Sequence, residues 1–181
     1  YCTEDVRYVV YQPDTDLEEL YEEGMYILLV CKEEKHAGYF ANLVFDKIGD
    51  KVFCIEGYEG AHYFERCIRA GEDTVNCVCD ILKTIYVQGI INLDMADFMQ
   101  IVSRNDLLYV GFEGNKLSVM NRTGSFLEAN PIREYMANVF GSDKVDLSME
   151  LMNLITEYSE GIIGATVLEQ DPDVRLMLIC R

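Results

Sequence analysis

The apolar positions change period along the chain, and the changes mark its elements. Val6–Tyr11 alternates weakly, as an edge strand would. Pro13-Asp-Thr15-Asp-Leu-Glu18 opens a helix, with Thr15 and Glu18 at capping-box spacing, Leu17, Leu20 and Tyr21 as its stripe and Gly24 at its end. Met25–Cys31 is a continuous apolar run, which predicts a strand buried on both faces of a parallel sheet. Lys32–Gly38 reads as a charged loop. Tyr39–Ile48 follows as a helix, with Phe40, Leu43, Val44 and Ile48 on one side and Gly49 after it, and Lys51–Ile55 is a second buried strand. Helix and strand alternating over short connections is the α/β signature.

From Ala61 to Ile85 the pattern is helical. It is interrupted at Gly71, which costs a helix ~1 kcal/mol relative to Ala and so predicts two helices. Val75, Val78, Ile81, Leu82 and Ile85 form the inner face of the second. Leu107–Phe112 reads as a strand, and Asn130–Phe140 and Leu147–Tyr158 read as helices. Gly161–Leu168 and Val174–Cys180 read as strands joined by the turn sequence Gln170-Asp-Pro-Asp173, a connection short enough to predict an antiparallel hairpin.

Between these blocks lies Gly89-Ile-Ile-Asn92-Leu-Asp94-Met-Ala-Asp97-Phe-Met-Gln-Ile-Val102. Here an apolar run leaves a helix, turns tightly and enters a new one. Asp94 is a good N-cap, Asp97 stands in the first turn, and Met95, Phe98, Met99 and Val102 recur at helical spacing. The positive end of the helix dipole stabilises each such carboxylate by ~0.3–1 kcal/mol. On this ground alone Asp94 and Asp97 cap a helix and do no chemistry.

Composition narrows the classes. The chain has 181 residues, half of them apolar, enough for one domain with a large core or two small ones. No apolar run approaches ~20 residues, so no membrane span is expected, and no leader pattern opens the chain. The first residue is Tyr1, which leaves room for a natural N-terminus further upstream. A formal net charge of −17 repels phosphate backbones, so nucleic acid is not an expected partner. Of seven cysteines, Cys31, Cys54, Cys67, Cys77 and Cys180 fall in apolar surroundings, with Cys79 close by; scattered buried thiols point to a reducing cytoplasm. Cys77-Val-Cys79 is not a metal motif, His36 and His62 stand isolated, and no metal site is expected. No Ser/His/Asp set or redox motif suggests an independent enzyme.

Asn92, Asp94 and Asp97 sit in a pattern that resembles the synergy loop of FtsZ, the bacterial relative of tubulin, close to N-x-D-x-A-D after an apolar Ile-Asn step. A second stretch agrees. Gly161-Ile-Ile-Gly-Ala-Thr with Asp173-Val-Arg-Leu-Met-Leu-Ile is similar to that family's closing hairpin, roughly I-I-F-G-A and D-E-V-R-V-T-V-I. The family's long central helix would correspond to Glu72–Ile85. The resemblance implies an α/β, FtsZ/tubulin-like fold: a truncated Rossmann-like, GTPase-domain-like half over residues 1–71, a central helix over 72–88, and a C-terminal α+β layer with a mixed sheet over 89–181. In that family the acidic loop enters the nucleotide pocket of the next subunit and orients the attacking water. Asp94 and Asp97 would therefore act only in trans, with Asn92 holding the loop.

The chain departs from the family where the glycine-rich phosphate loop should stand. It has Lys32-Glu-Glu-Lys-His-Ala-Gly38 there, with only Gly38 as a possible survivor. Phosphate cradling needs closely spaced backbone N–H groups, and like charges at ~4 Å cost about 4 kcal/mol at an effective dielectric of ~20. Glu33 and Glu34 therefore argue against GTP or any other cofactor bound in the family manner. A strand between the two late helices is also missing from the reading. The resemblance thus implies an FtsZ/tubulin-like protein without its own nucleotide site, a non-catalytic assembly partner or modulator that meets an FtsZ/tubulin-like subunit, or itself, through Asp94 and Asp97. The alternatives are a GTPase of that family whose nucleotide-binding segment lies outside this chain, and an α/β interaction or ligand-binding module of unrelated role.

Overall fold

The computed structural model describes residues 26–48, 52–103, 106–141, 145–167 and 174–181. The expected strand Val6–Tyr11, the helix opening at Pro13 and the turn at Gln170–Asp173 lie outside these residues. So do the side chains of Leu43, Val44 and Ile48.

The first described strand, β1 (Ile27–Cys31), leads into helix α1 (Glu34–Ile48) and strand β2 (Val52–Glu56). An irregular stretch over 57–66 follows, then the short strand β3 (Cys67–Arg69), a 3-10 turn at Gly71–Asp73 and helix α2 (Thr74–Tyr86). The acidic stretch leads into α3 (Met95–Val102). The remaining elements are β4 (Leu107–Gly114), α4 (Lys116–Ala129), β5 (Glu134–Gly141), α5 (Val145–Thr156), β6 (Glu160–Val167) and β7 (Val174–Cys180). The strands form one seven-stranded mixed sheet in the order β1-β2-β3-β4-β7-β5-β6. β1 to β4 run parallel, β7 is antiparallel to both β4 and β5, and β6 is parallel to β5.

Side-chain alternation along the central strands builds a layer of core on each face. On one face Met177 and Ile179 of β7 meet Met136 and Phe140 of β5, Ile81 of α2, and Phe98, Ile101 and Val102 of α3. On the other, Leu176 and Leu178 of β7 meet Tyr135, Ala137 and Val139 of β5, Val119 and Leu127 of α4, and Leu151 and Ile155 of α5. Strands covered on both faces become continuously apolar. A smaller cluster of Cys31, Ala37, Cys54 and Cys67 joins α1 to β1, β2 and β3.

Double-sided burial is also why several expectations fail. In β5, Tyr135, Met136, Val139 and Phe140 mimic a helical stripe, so the predicted helix Asn130–Phe140 is in fact a strand. It is the strand between the late helices that the sequence reading found missing. β5 also lies between β6 and β7, so the predicted hairpin does not form: β7 pairs with β4 and β5, and β6 with β5. The helix predicted from Ala61 is an irregular stretch and β3, although the break at Gly71 holds, at a φ of 54°. Helix α4 went unread because its buried face is narrow, one residue per turn at Val119, Thr123 and Leu127. The predicted loop Lys32–Gly38 shrinks to Lys32 and Glu33. Helix α1 begins at Glu34, with Lys35 and His36 exposed and Ala37 buried beneath. β1 is less enclosed than expected, with Val30 41% exposed. No described helix is long and apolar enough to cross a membrane.

One polar network crosses the sheet interior. Asp80 of α2 is buried, and Arg175 of β7 donates from Nε to its Oδ1 and Oδ2 at 2.8 and 2.9 Å. Tyr109 of β4 donates to Asp80 at 2.6 Å and accepts from Arg175 at 2.9 Å. Arg175 also donates to Glu113 at 2.7 Å. Burial, then the hydrogen bond to Asp80, pushes the Tyr109 phenol far above its usual range. Beside this network Asn138 of β5 donates to Thr84 and Thr166, each at 2.9 Å.

Removing one partner of a buried ion pair leaves an uncompensated charge, at about 3–5 kcal/mol. Arg175→Met is expected to lose that much stability in urea unfolding. The double substitution Asp80→Leu with Arg175→Met is expected to recover most of it, since an apolar pair has no charge to strand.

Candidate functional site

The acidic stretch over residues 87–94 runs from the end of α2 to the start of α3, along the outer edge of β6. Backbone bonds hold it there. Ile90 and Ile91 both donate to the carbonyl of Ala165, at 2.7 and 3.2 Å, and Ala165 donates back to Ile91 at 3.0 Å. The approach is so close that a Cβ at Gly89 would stand 2.2 Å from the Ala165 oxygen, so only glycine fits. Asn92 closes the turn, its Oδ1 accepting from the Gly89 N–H at 2.6 Å. Leu93 then drops into the core. Asn92 thus has a backbone-holding role.

Asp94 is the N-cap of α3. Its Oδ1 accepts from the N–H groups of Ala96 and Asp97 at 2.7 and 3.0 Å, and Asp97 Oδ2 accepts from the Asp94 N–H at 3.0 Å. This is a full capping box. The same geometry keeps the two carboxylates together at one helix end. Each spends one oxygen on the box, while Oδ2 of Asp94 and Oδ1 of Asp97 accept no hydrogen bond among the described residues. Asp94 is exposed and Asp97 half-buried. Beside them Ile90 and Ile91 are 50% and 41% exposed, apolar side chains standing outward from a fixed backbone.

Lys32–Gly38, expected to stand where the phosphate loop would be, is mostly helix. Only Lys32 and Glu33 separate β1 from α1, and Gly38 is inside the helix. At the start of α1, Glu34 Oε1 accepts from the Ala61 N–H and the Tyr63 hydroxyl, both at 3.3 Å. The chain's own carboxylate takes those donors, and the 57–66 stretch lies over the helix end. Burial, ahead of Glu34, raises the Tyr63 phenol.

Sequence reasoning missed a second cluster. His62, isolated in sequence, is not isolated in space. Its Nδ1 is 2.6 Å from Oε2 of buried Glu56 and 3.7 Å from the Cys67 sulfur, while Tyr58 donates to Glu56 Oε1 at 3.0 Å. Burial, helped by the negative charge of Glu56, pushes the Cys67 thiol up to about 11. The legible signal was Glu56 itself, a charge ending an otherwise apolar strand. The expected burial of Cys31, Cys54, Cys67, Cys77 and Cys180 holds, and Cys79 is exposed.

A good cap is worth about 0.5–2 kcal/mol over alanine, and asparagine caps as well as aspartate. Asp94→Ala is therefore expected to lower stability by ~1 kcal/mol in urea unfolding, and Asp94→Asn to leave it within a few tenths.

No protein-family model matches the chain, and no curated protein sequence matches it. Its fold, by contrast, has clear counterparts among solved structures. CetZ from Methanosaeta thermophila superposes with a TM-score of 0.58 at 9% identity, over 91% of this chain and 64% of that one. TubZ of Bacillus thuringiensis serovar israelensis, in GDP-form protofilaments, gives 0.51 at 9% identity over 86% and 60%. An empty FtsZ dimer from M. jannaschii gives 0.50 at 20% identity over 60% and 36%. The chain thus spans less than two thirds of the length of each of these structures. With the mixed α/β sheet described above, they show that the chain has an FtsZ/tubulin-like fold.

Proposed function

We propose that this chain is an FtsZ/tubulin-like protein without a nucleotide site of its own, acting as an assembly partner or modulator of a filament through the face carrying Asp94 and Asp97. The observation that carries the proposal is the anchored acidic stretch. Its backbone is bound to β6 at Ala165, yet two carboxylate oxygens and two isoleucine side chains are left facing outward. A rigid edge with apolar and acidic groups side by side suits a protein surface better than open solvent. In this reading residues 1–71 are the reduced nucleotide-domain half, 72–88 the central helix, and 89–181 the half that meets a partner. The partner is an FtsZ/tubulin-like subunit or a second copy of this chain. The dimer of FtsZ and the protofilaments of TubZ among the similar structures support contact between subunits of this fold as the mode.

The lack of an autonomous GTPase site is supported by the start of α1. Anion binding at a helix N-terminus uses free N–H groups and closely approaching backbone. Here the Lys32–Glu33 turn between β1 and α1 carries no glycine, Glu33 and Glu34 bring negative charge, and the nearby Ala61 N–H and Tyr63 hydroxyl already serve Glu34. A second reading, an α/β module in which Asp94 and Asp97 only stabilise α3, draws on the completeness of the capping box.

Co-sedimentation and phosphate release with an active FtsZ or CetZ GTPase separate the two. The chain is expected to pellet with the filaments and to alter phosphate release. Asp94→Asn and Asp97→Asn, which keep a capping group, are expected to bind still but to reduce the chain's contribution to turnover by ~100-fold, the scale of a positioned proton-transfer or water-orienting group. No co-sedimentation and no change in release would refute the assembly role. Binding with variants indistinguishable from wild type would leave the carboxylates as caps alone.

A further inference from the structure

On the face of the sheet opposite α2, three different kinds of metal ligand converge. β2 and β3 are parallel neighbours in which Cys54 stands opposite Cys67 and Glu56 opposite Arg69. The stretch over 57–66 folds back across them and delivers His62. The carboxylate oxygen of Glu56, the imidazole nitrogen of His62 and the sulfur of Cys67 all lie within 4.8 Å of one another. We propose that Glu56, His62 and Cys67 form a binding site for a divalent transition metal, with zinc the best fit, and that water fills the fourth position on the exposed side of His62.

Imidazole, thiolate and carboxylate are the three side-chain ligands of zinc, with bonds of ~2.0–2.3 Å, and a tetrahedral ion therefore separates a nitrogen ligand from a sulfur ligand by ~3.5 Å. The observed 3.7 Å between His62 Nδ1 and Cys67 Sγ meets that separation. Nitrogen and oxygen ligands stand ~3.4 Å apart in the same geometry, so the 2.6 Å His62–Glu56 contact opens by less than ~1 Å when an ion replaces its shared proton. His62 sits on the irregular stretch, where such a shift disturbs no strand pairing. Cys67 and Glu56 sit on strands and are fixed.

Two further features favour a cation here. Glu56 is 1% exposed and has no lysine or arginine ion pair among the described residues; its partners are the Tyr58 hydroxyl and His62. A buried carboxylate calls for a compensating positive charge. On the far side of the ring, Asp106 Oδ1 is 3.8 Å from His62 Nε2. A carboxylate on the second nitrogen of a metal-bound histidine fixes its tautomer and strengthens it as a ligand. Asp106 stands next to that place, just beyond hydrogen-bond distance, on a left-handed backbone at a φ of 60°. Metal binding would tie the 57–66 stretch to the ends of β2 and β3. It is independent of the acidic stretch, and either proposal stands without the other.

The test is a titration of the full chain, stripped by chelator, with Co²⁺ as a spectroscopic stand-in and Zn²⁺ as competitor. One equivalent of Co²⁺ is expected to give the visible bands of a tetrahedral ion and a near-ultraviolet thiolate charge-transfer band, both lost on adding Zn²⁺. Cys67→Ser is expected to abolish the charge-transfer band and His62→Ala the tight binding. Asp106→Asn, which tolerates the same backbone conformation, is expected to weaken affinity by about 10–100-fold. Cys79→Ser, at an exposed thiol, is expected to change nothing. Circular dichroism of the exposed-site variant His62→Ala confirms that its fold persists. Absence of stoichiometric binding overturns the proposal. So do bands that survive both His62→Ala and Cys67→Ser, or bands that vanish instead with Cys31→Ser, which would place the thiolate elsewhere.

Discussion

A carboxylate that folding takes out of water must find its counter-charge inside the protein, and for Asp80 that charge comes from 95 residues away in sequence. Asp80 lies on the buried face of α2, and Arg175 reaches it from β7, the strand that pairs with both β4 and β5. The pair therefore fixes the helix against the middle of the sheet, and Tyr109 locks the third element into the same network. Everything downstream in α2 inherits this register. Thr84 meets Asn138, and the chain leaves the helix at the height where Ala165 can receive it. The acidic edge is positioned by a charge pair it does not touch.

The sequence made some of this legible. The capping box at Asp94 and Asp97 and the apolar face of α3 are local properties, set by neighbours within one turn, and they appear as read. The break at Gly71, the outlines of β2, β4 and α5, and the buried cysteines were likewise legible. What failed was long-range. β5 carries apolar residues on both faces, so its own period gives no sign of a strand, and its place between β6 and β7 cannot be deduced from a short connection. α4 escaped because the neighbours it packs against leave room for only a narrow stripe. The Asp80–Arg175 pair and the Glu56–His62–Cys67 group are each split across elements whose proximity only the sheet order creates. A lone acid on an apolar helix face, or at the end of an apolar strand, was the available hint in both.

The resemblance to FtsZ rested on two short patterns and has its counterpart in the folds of CetZ, TubZ and FtsZ. Those folds, at 9–20% identity, say how the elements are arranged. What the chain does with them depends on its own residues. At the start of α1 a glycine-poor, glutamate-bearing turn folds its own side chain onto nearby donors. Beyond the far end of α2, Asp94 and Asp97 each give one oxygen to the capping box and keep one free of hydrogen bonds among the described residues.

The bonds between Ala165 and Ile91 have one more effect. β6 is the last strand in the described sheet, and an outermost strand presents unpaired amides that recruit strands from other molecules. The antiparallel bridge to Ile91 occupies that rim at Ala165, toward the C-terminal end of β6, so the segment that leads to the two carboxylates also guards part of that edge against strand addition. Loosening it, as a side chain at position 89 would, exposes a sticky border and opens a route to aggregation.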